Sequence, residues 1–187
     1  MRLIIVRHGE TEENKAHMLQ GHLPGKLSKL GKEQAKKVAL RLRSEKIDII
    51  YSSDLARATD TTKEIAKFHS HIKLHLTEKL RERNLGDFTG KEWDKVDWND
   101  PPPTVESREN MRKRVKELLD EVYLKYKDKT VLFVGHGGIN NALIALIKKQ
   151  DINYQYESQN NTAINIFDIF EDYQHKIHCL NCTKHLD

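Results

Sequence analysis

The residues that could do chemistry sit at the ends of short apolar runs. Leu3 to Val6, LIIV, delivers Arg7, His8 and Gly9: a cation, a titratable imidazole, and a residue that lets a ligand approach the backbone. Val131 to Val134, VLFV, runs into Gly135, His136, Gly137 and Gly138, and a third run, Ile47 to Tyr51, leads through Ser52, Ser53 and Asp54 to Arg57. Two arginines present permanently charged planar forks that match phosphate oxygens, and carboxylate oxygens equally well. His8 separates these readings, because a neutral imidazole attacks phosphorus and carries a phosphoryl group covalently. Nearby cations withdraw charge from the group in transfer and disfavour imidazolium. A proton donor for the leaving alkoxide is still required.

The elements that must position these groups follow from the pattern. Four-residue apolar runs rich in β-branched types are too short for helices and predict strands buried on both faces. Ligands in open α/β sheets bind beyond the carboxyl ends of the strands, so one anion pocket fed by all three runs is expected. Between them, Ser28 as N-cap followed by Leu30, Ala35, Val38, Ala39 and Leu42 on one face predicts an amphipathic helix. A second helix carries Leu55, Ala58, Thr62, Ile65 and Ala66 inward, with Ser52, Ser53 and Asp54 offering its cap. Arg57 then lies in its first turn, where a cation opposes the helix dipole unless an anion binds there. Ser107 to Lys127, with Met111, Val115, Leu118, Leu119, Val122 and Tyr126, predicts a long amphipathic helix. A further helix after His136 carries Ile139, Ala142, Leu143, Leu146 and Ile147.

Ile72 to Leu76 predicts a short strand. Ala163 to Phe170 and Lys176 to Leu180 predict an antiparallel pair at a sheet edge, joined by a polar turn around Asp172. Ile164, Ile166, Phe167 and Ile169 change phase and leave the buried face undecided. Glu12 to Pro24 is expected as a loop over the strand ends, with Asn14, Gln20 and Gly21 its polar groups best suited to meet a substrate. Asp151 to Asn161 also reads as loop.

The chain of 187 residues fits one domain, residues 1–187, with a small cap-like insertion around 84–108 marked by Trp93, Trp98 and Pro101 to Pro103. A net charge of +4, from 32 basic and 28 acidic residues spread along the chain, argues against a nucleic-acid stripe and suits a small anionic substrate. No long apolar run or signal peptide is evident, so the expectation is a cytoplasmic protein without a membrane partner, monomeric or homodimeric. Cys179 and Cys182, with His175, His178 and His185 nearby, offer zinc ligands by type. Alternating directions along an extended segment oppose their convergence, so reduced thiols are the preferred reading and no metal is expected. A dinucleotide site at Gly135 to Gly138 lacks GxGxxG after the first strand.

The motifs together resemble the histidine phosphatase superfamily, phosphoglycerate mutase-like branch, over nearly the whole chain. RHGETEEN at Arg7 to Asn14, QG at Gln20 and Gly21, SSDLARATDT at Ser52 to Thr61, LRERNLGDFTG at Leu80 to Gly90 and VGHGG at Val134 to Gly138 occur in family order. The resemblance implies a three-layer α/β/α sandwich with a mostly parallel sheet and an antiparallel edge strand. It implies His8 as the phosphorylated nucleophile, Glu82 as general acid and then base, and Arg7, Arg57 and His136 as the phosphate clamp. Asn14, Gln20, Gly21 and Gly137 would contact substrate or phosphate, and no cofactor is implied. The span from Glu82 to His136 is shorter than in the mutases, which favours hydrolysis of a small phosphorylated metabolite over phosphoryl return. Phosphoglycerate mutase activity and a non-catalytic phosphate-binding module are the alternatives. LNCTKHL resembles the family's closing strand, which again reads Cys179 and Cys182 as structural.

Overall fold

The computed structural model describes residues 1–151, 158–171 and 174–187. Six strands form one sheet in the order β3-β2-β4-β1-β5-β6. β1 (Arg2–Arg7) and β4 (Thr130–Gly135) run parallel at its centre, with Ile4 opposite Leu132 and Arg7 opposite Gly135. β2 (Ile49–Ser53) and β3 (Leu74–Thr77) continue the parallel set. β5 (Ile164–Asp168) runs against both β1 and β6 (Lys176–Cys182), so antiparallel pairing is confined to one side of the sheet, as the resemblance implies.

Alternation along the central strands splits the core into two layers. Leu3, Ile5, Val131 and Phe133 pack with Met111, Val115, Leu118 and Val122 of α4 (Arg108–Lys125) and with Ile139 and Leu143 of α5 (Gly137–Ile147). Ile4, Val6, Leu132 and Val134 pack with Val38, Ala39 and Leu42 of α2 (Lys29–Leu42) and with Ala58 and Ile65 of α3 (Ala56–Ala66). A strand buried on both faces shows no alternation in sequence, which is why these runs read as continuous apolar.

The same fact resolves the phase change in β5. Ile164 and Ile166 face the α2/α3 layer, while Phe167 and Ile169 face the α4/α5 layer, so both faces are buried. Bulges in its pairing with β6 then set Cys179 opposite Ile166 and Cys182 opposite Ile164.

Three local readings are corrected. Leu30, expected inward on α2, is 49% exposed. Gly31 takes the inward position of that turn and lies so close to the Glu10 backbone that a Cβ would overlap it. β2 begins at Ile49 rather than Ile47 and extends through Ser53, so the N-cap of α3 falls to Leu55, with no side-chain bond. Edge strand β3 runs over Leu74–Thr77 rather than Ile72 to Leu76, and leaves Leu74 37% and Leu76 55% exposed. Ser28 and Ser107 do cap α2 and α4, accepting from the N–H groups of Gly31 and Asn110. The turn around Asp172 and part of the Asp151 to Asn161 loop lie outside the described residues.

After β1 the chain makes one short helical turn, α1 (Glu12–Lys15), where a loop was expected. Thr11 and Asn14 form a reciprocal capping box there, an arrangement strong enough to order four residues. Residues 84–108 contain single 3-10 turns at Gly86–Phe88 and Trp93–Lys95. Leu85, Phe88 and Val105 close over Leu19 in a small third cluster, with Val96 and Trp98 against it. Among the described residues no helix is long and apolar enough to cross a membrane.

Candidate active site

The carboxyl ends of β1, β2 and β4 meet, and their side chains meet with them. His8 is pinned by its backbone: its N–H donates to Gly135 O at 3.0 Å, and its carbonyl accepts from Thr162 N at 3.2 Å. Its Nδ1 lies 2.7 Å from Gly9 O. A carbonyl only accepts, so Nδ1 carries the proton and Nε2 keeps its lone pair. The Gly9 N–H in turn donates to Thr61 Oγ1 at 3.0 Å. Burial pushes His8 well below the usual histidine value, with the Arg57 and Arg7 charges adding to it. The sequence anticipated the cations; desolvation, the larger cause, it does not display.

The rings of His8 and His136 lie 5.0 Å apart, tilted by 59°. Arg57 Nε donates to His136 Nδ1 at 3.1 Å, and His136 Nε2 therefore donates to Ser53 Oγ at 2.8 Å. His136 is thus a neutral Nε2–H tautomer, and burial and then Arg57 hold it well below the ordinary value. Both its nitrogens face protein groups, so it meets an anion oxygen only by exchanging one of them.

Arg57 is 1% exposed. Its Nη1 donates to Leu23 O at 2.5 Å and Pro24 O at 3.5 Å, and its Nη2 to Gly21 O at 2.9 Å, leaving one Nη2 hydrogen. Burial lowers it to about 10, against the charges of Glu82 and Glu13, so it remains cationic at neutral pH. Arg7 Nη1 donates to Gln159 O, and its buried Nε has no partner among the described residues. Arg7 is lowered by burial while Glu82 opposes that shift. A buried guanidinium N–H without a protein partner is a donor that an anion oxygen can satisfy.

Glu82 enters from the loop after β3. Its carboxylate accepts from Gly138 N at 3.0 Å, Ile139 N at 3.2 Å and Arg83 N at 2.8 Å. It therefore rests on the N-terminus of α5, one residue beyond Gly137. The structure thus brings Arg7, His8, Arg57, Glu82, His136 and Gly137 to one place.

The loop residues behave differently. Asn14 Oδ1 is taken by Thr11 N and by Asn161 Nδ2, so its side chain braces the loop. Gly21, at φ +48, contributes its carbonyl to Arg57. Gln20 is buried with Oε1 unpartnered, close to the Arg57 stem across Gly25. Residue-level reading missed Ser53, which looked like a helix cap, and Thr61, Gln159 and Asn161. Thr61 alone carried a signal, standing four residues after Arg57 on the same helix face.

Among the described residues no group of three or more His, Cys, Asp or Glu could hold a metal. Cys179 and Cys182 are unbonded to each other, and His178 pairs with Asp168 at 2.7 Å.

A mostly parallel sheet that gathers cations, imidazoles and one carboxylate beyond its strand ends defines a phosphoglycerate mutase-like fold. The model of the histidine phosphatase superfamily (branch 1) matches residues 3–183, and the chain belongs to that family. It is 31% identical to phosphoglycerate mutase-like protein 4 of Arabidopsis thaliana, over 99% of this chain and 86% of that one. It is 34% identical to putative phosphoserine phosphatase 2 of Hydrogenobacter thermophilus, over 78% of each. Among solved structures, phosphoserine phosphatase from Entamoeba histolytica in complex with 3-phosphoglyceric acid superimposes with a TM-score of 0.84 at 30% identity, over 99% of this chain and 98% of that one. Family and relatives place the chain among the phosphoric monoester hydrolases.

Proposed function

We propose that the chain hydrolyses a small phosphomonoester through a phosphohistidine on His8. The observation that carries this is the Nδ1–H bond to Gly9 O, which leaves the Nε2 lone pair as the nucleophile beside two arginines. Arg7 Nε and the remaining Arg57 Nη2 hydrogen receive phosphate oxygens. The Nε2 lone pair attacks phosphorus, the ester P–O bond breaks, and the leaving oxygen takes a proton from the Glu82 carboxyl. Water then attacks the phosphoryl group, Glu82 accepts its proton, and the N–P bond electrons return to Nε2. Residues 84–108 act as a small cap beside this pocket, short enough to admit water. The relatives' names direct the substrate screen to small phosphomonoesters that also carry a carboxylate, such as phosphoserine and 3-phosphoglycerate.

The test is a rapid acid-free quench of enzyme with labelled substrate. An acid-labile phosphoenzyme should form in the wild type and be absent in His8→Ala, together with a loss of hydrolysis. Turnover by His8→Ala at the wild-type rate overturns the assignment. Conversion of 3-phosphoglycerate to its 2-isomer in the same reaction would instead support a mutase.

A further inference from the structure

Glu82 is held from two sides, and only one of them is α5. On the other side stands Arg114, which projects from α4 and is 19% exposed. Its Nη1 donates to Lys79 O at 2.8 Å and Arg81 O at 2.9 Å. Its Nη2 donates to Glu82 O at 3.0 Å and Glu106 Oε2 at 3.0 Å, and its Nε to Glu106 Oε1 at 2.7 Å. A guanidinium has five N–H donors, and every one of these is spent. Three go to the backbone that carries Glu82 and two to a carboxylate in the segment beside the pocket.

Glu106 completes the clamp. Its Oε2 also accepts from Asn84 N at 3.0 Å, and its carbonyl accepts from Arg83 Nε at 2.6 Å. Burial works to raise Glu106, but the Arg114 hydrogen bonds and charge outweigh it and hold it below the usual carboxylate range. His22 Nε2 donates to Glu82 O at 2.9 Å and so fixes the same carbonyl from the loop over the strand ends. The stretch 79–84 has no sheet partner beyond Thr77 and no full helical turn of α type. These side-chain bonds take the place of a ladder.

We propose that Arg114 is a positioning residue for the reaction: its fork fixes the carbonyls of Lys79, Arg81 and Glu82, and thereby the place of the Glu82 carboxylate against the leaving oxygen. This rests on the reading of Glu82 as the group that moves the proton. Displacement of a reacting group by about 1 Å is enough to cost about 100-fold in rate. Lysine cannot substitute, because an ammonium has three donors and no planar fork.

The readout is the leaving-group dependence of kcat/KM, which reports events up to cleavage of the P–O bond. Phenyl phosphate expels a basic phenolate that needs the proton, whereas 2,4-dinitrophenyl phosphate expels an anion that does not. Arg114→Gln and Arg114→Lys should each lose roughly 10- to 100-fold with the phenyl ester and less than about 3-fold with the dinitrophenyl ester. Glu106→Gln, which keeps the shape of the clamp and weakens its charge, should show a smaller split in the same direction. Thermal unfolding confirms that each variant is folded at the assay temperature. Equal losses with both esters, or full activity in Arg114→Lys, overturn the positioning role. Glu82→Gln tests the underlying reading separately: it should show the largest split, about 100-fold or more with the phenyl ester. Absence of a split in Glu82→Gln refutes the proton role of Glu82 itself, whatever Arg114 does.

Discussion

Thr61→Val tests how the His8 turn is held. Thr61 is fully buried on α3, its hydroxyl donating to Arg57 O at 2.9 Å and accepting from Gly9 N at 3.0 Å. Valine matches threonine in shape, so no cavity opens, and Arg57 O stays within the helix. What is lost is the acceptor that the described residues give the Gly9 N–H, in a place where a Cβ on Gly9 would already press on Gly31 O at 2.5 Å. An orphaned buried donor costs about 1–3 kcal/mol. For a chain of this length each kcal/mol shifts Tm by about 2–4 °C, so Tm should fall by about 4–8 °C for a mid-range loss of about 2 kcal/mol. The Gly9 carbonyl that orients His8 belongs to the same residue, so kcat should also fall, while Thr61→Ser, which keeps the hydroxyl, stays near wild type in kcat. Calorimetry and steady-state hydrolysis measure the two effects. A Thr61→Val protein with unchanged Tm and unchanged kcat refutes the argument that this bond holds the turn.

Two further outcomes follow from the same site. His8 and His136 are both buried and held neutral well below the ordinary histidine value. The unfolded chain therefore binds more protons than the native one below about pH 6.5, and stability present above that pH is lost as pH falls through it, by up to about 1.4 kcal/mol per pH unit for each histidine. Urea midpoints at pH 7.5, 6.0 and 5.0 should decline in that order, and a flat series contradicts the burial of two neutral imidazoles. Gly138→Ala places a Cβ on top of Glu82 Oε1, a flexible side-chain end. Tm should change little while hydrolysis of phenyl phosphate drops about 100-fold; retained activity shows that the carboxylate works from another position.

What was legible in the sequence follows what a local pattern can encode. The central strands and their paired histidines were legible because burial on both faces leaves an unbroken apolar run ending in polar residues. α2 and α4 were legible from period and cap. Leu30 misled because apolar type alone does not register that Gly31 must meet the Glu10 backbone with no side chain between. Ser52 and Ser53 misled because a strand that runs two residues further turns a cap residue into a partner of His136. Arg114 gave no signal at all: on a helix with several other lysines and arginines, nothing local distinguishes the one whose five donors are all engaged by distant carbonyls and a carboxylate. Its role exists only once residues 79–84 and 106 have folded against α4.

The state of Arg57 has a consequence for selectivity. A guanidinium on a mobile side chain loses about 2 kcal/mol of rotamer freedom when it closes on an anion. Here Leu23, Pro24, Gly21 and His136 have already immobilised it. The loss is therefore incurred when the chain folds, and an incoming anion meets a charge whose direction does not adapt. Such a rigid cation tolerates little variation in where the tetrahedral group sits, so discrimination between esters must come from what lies beyond that group.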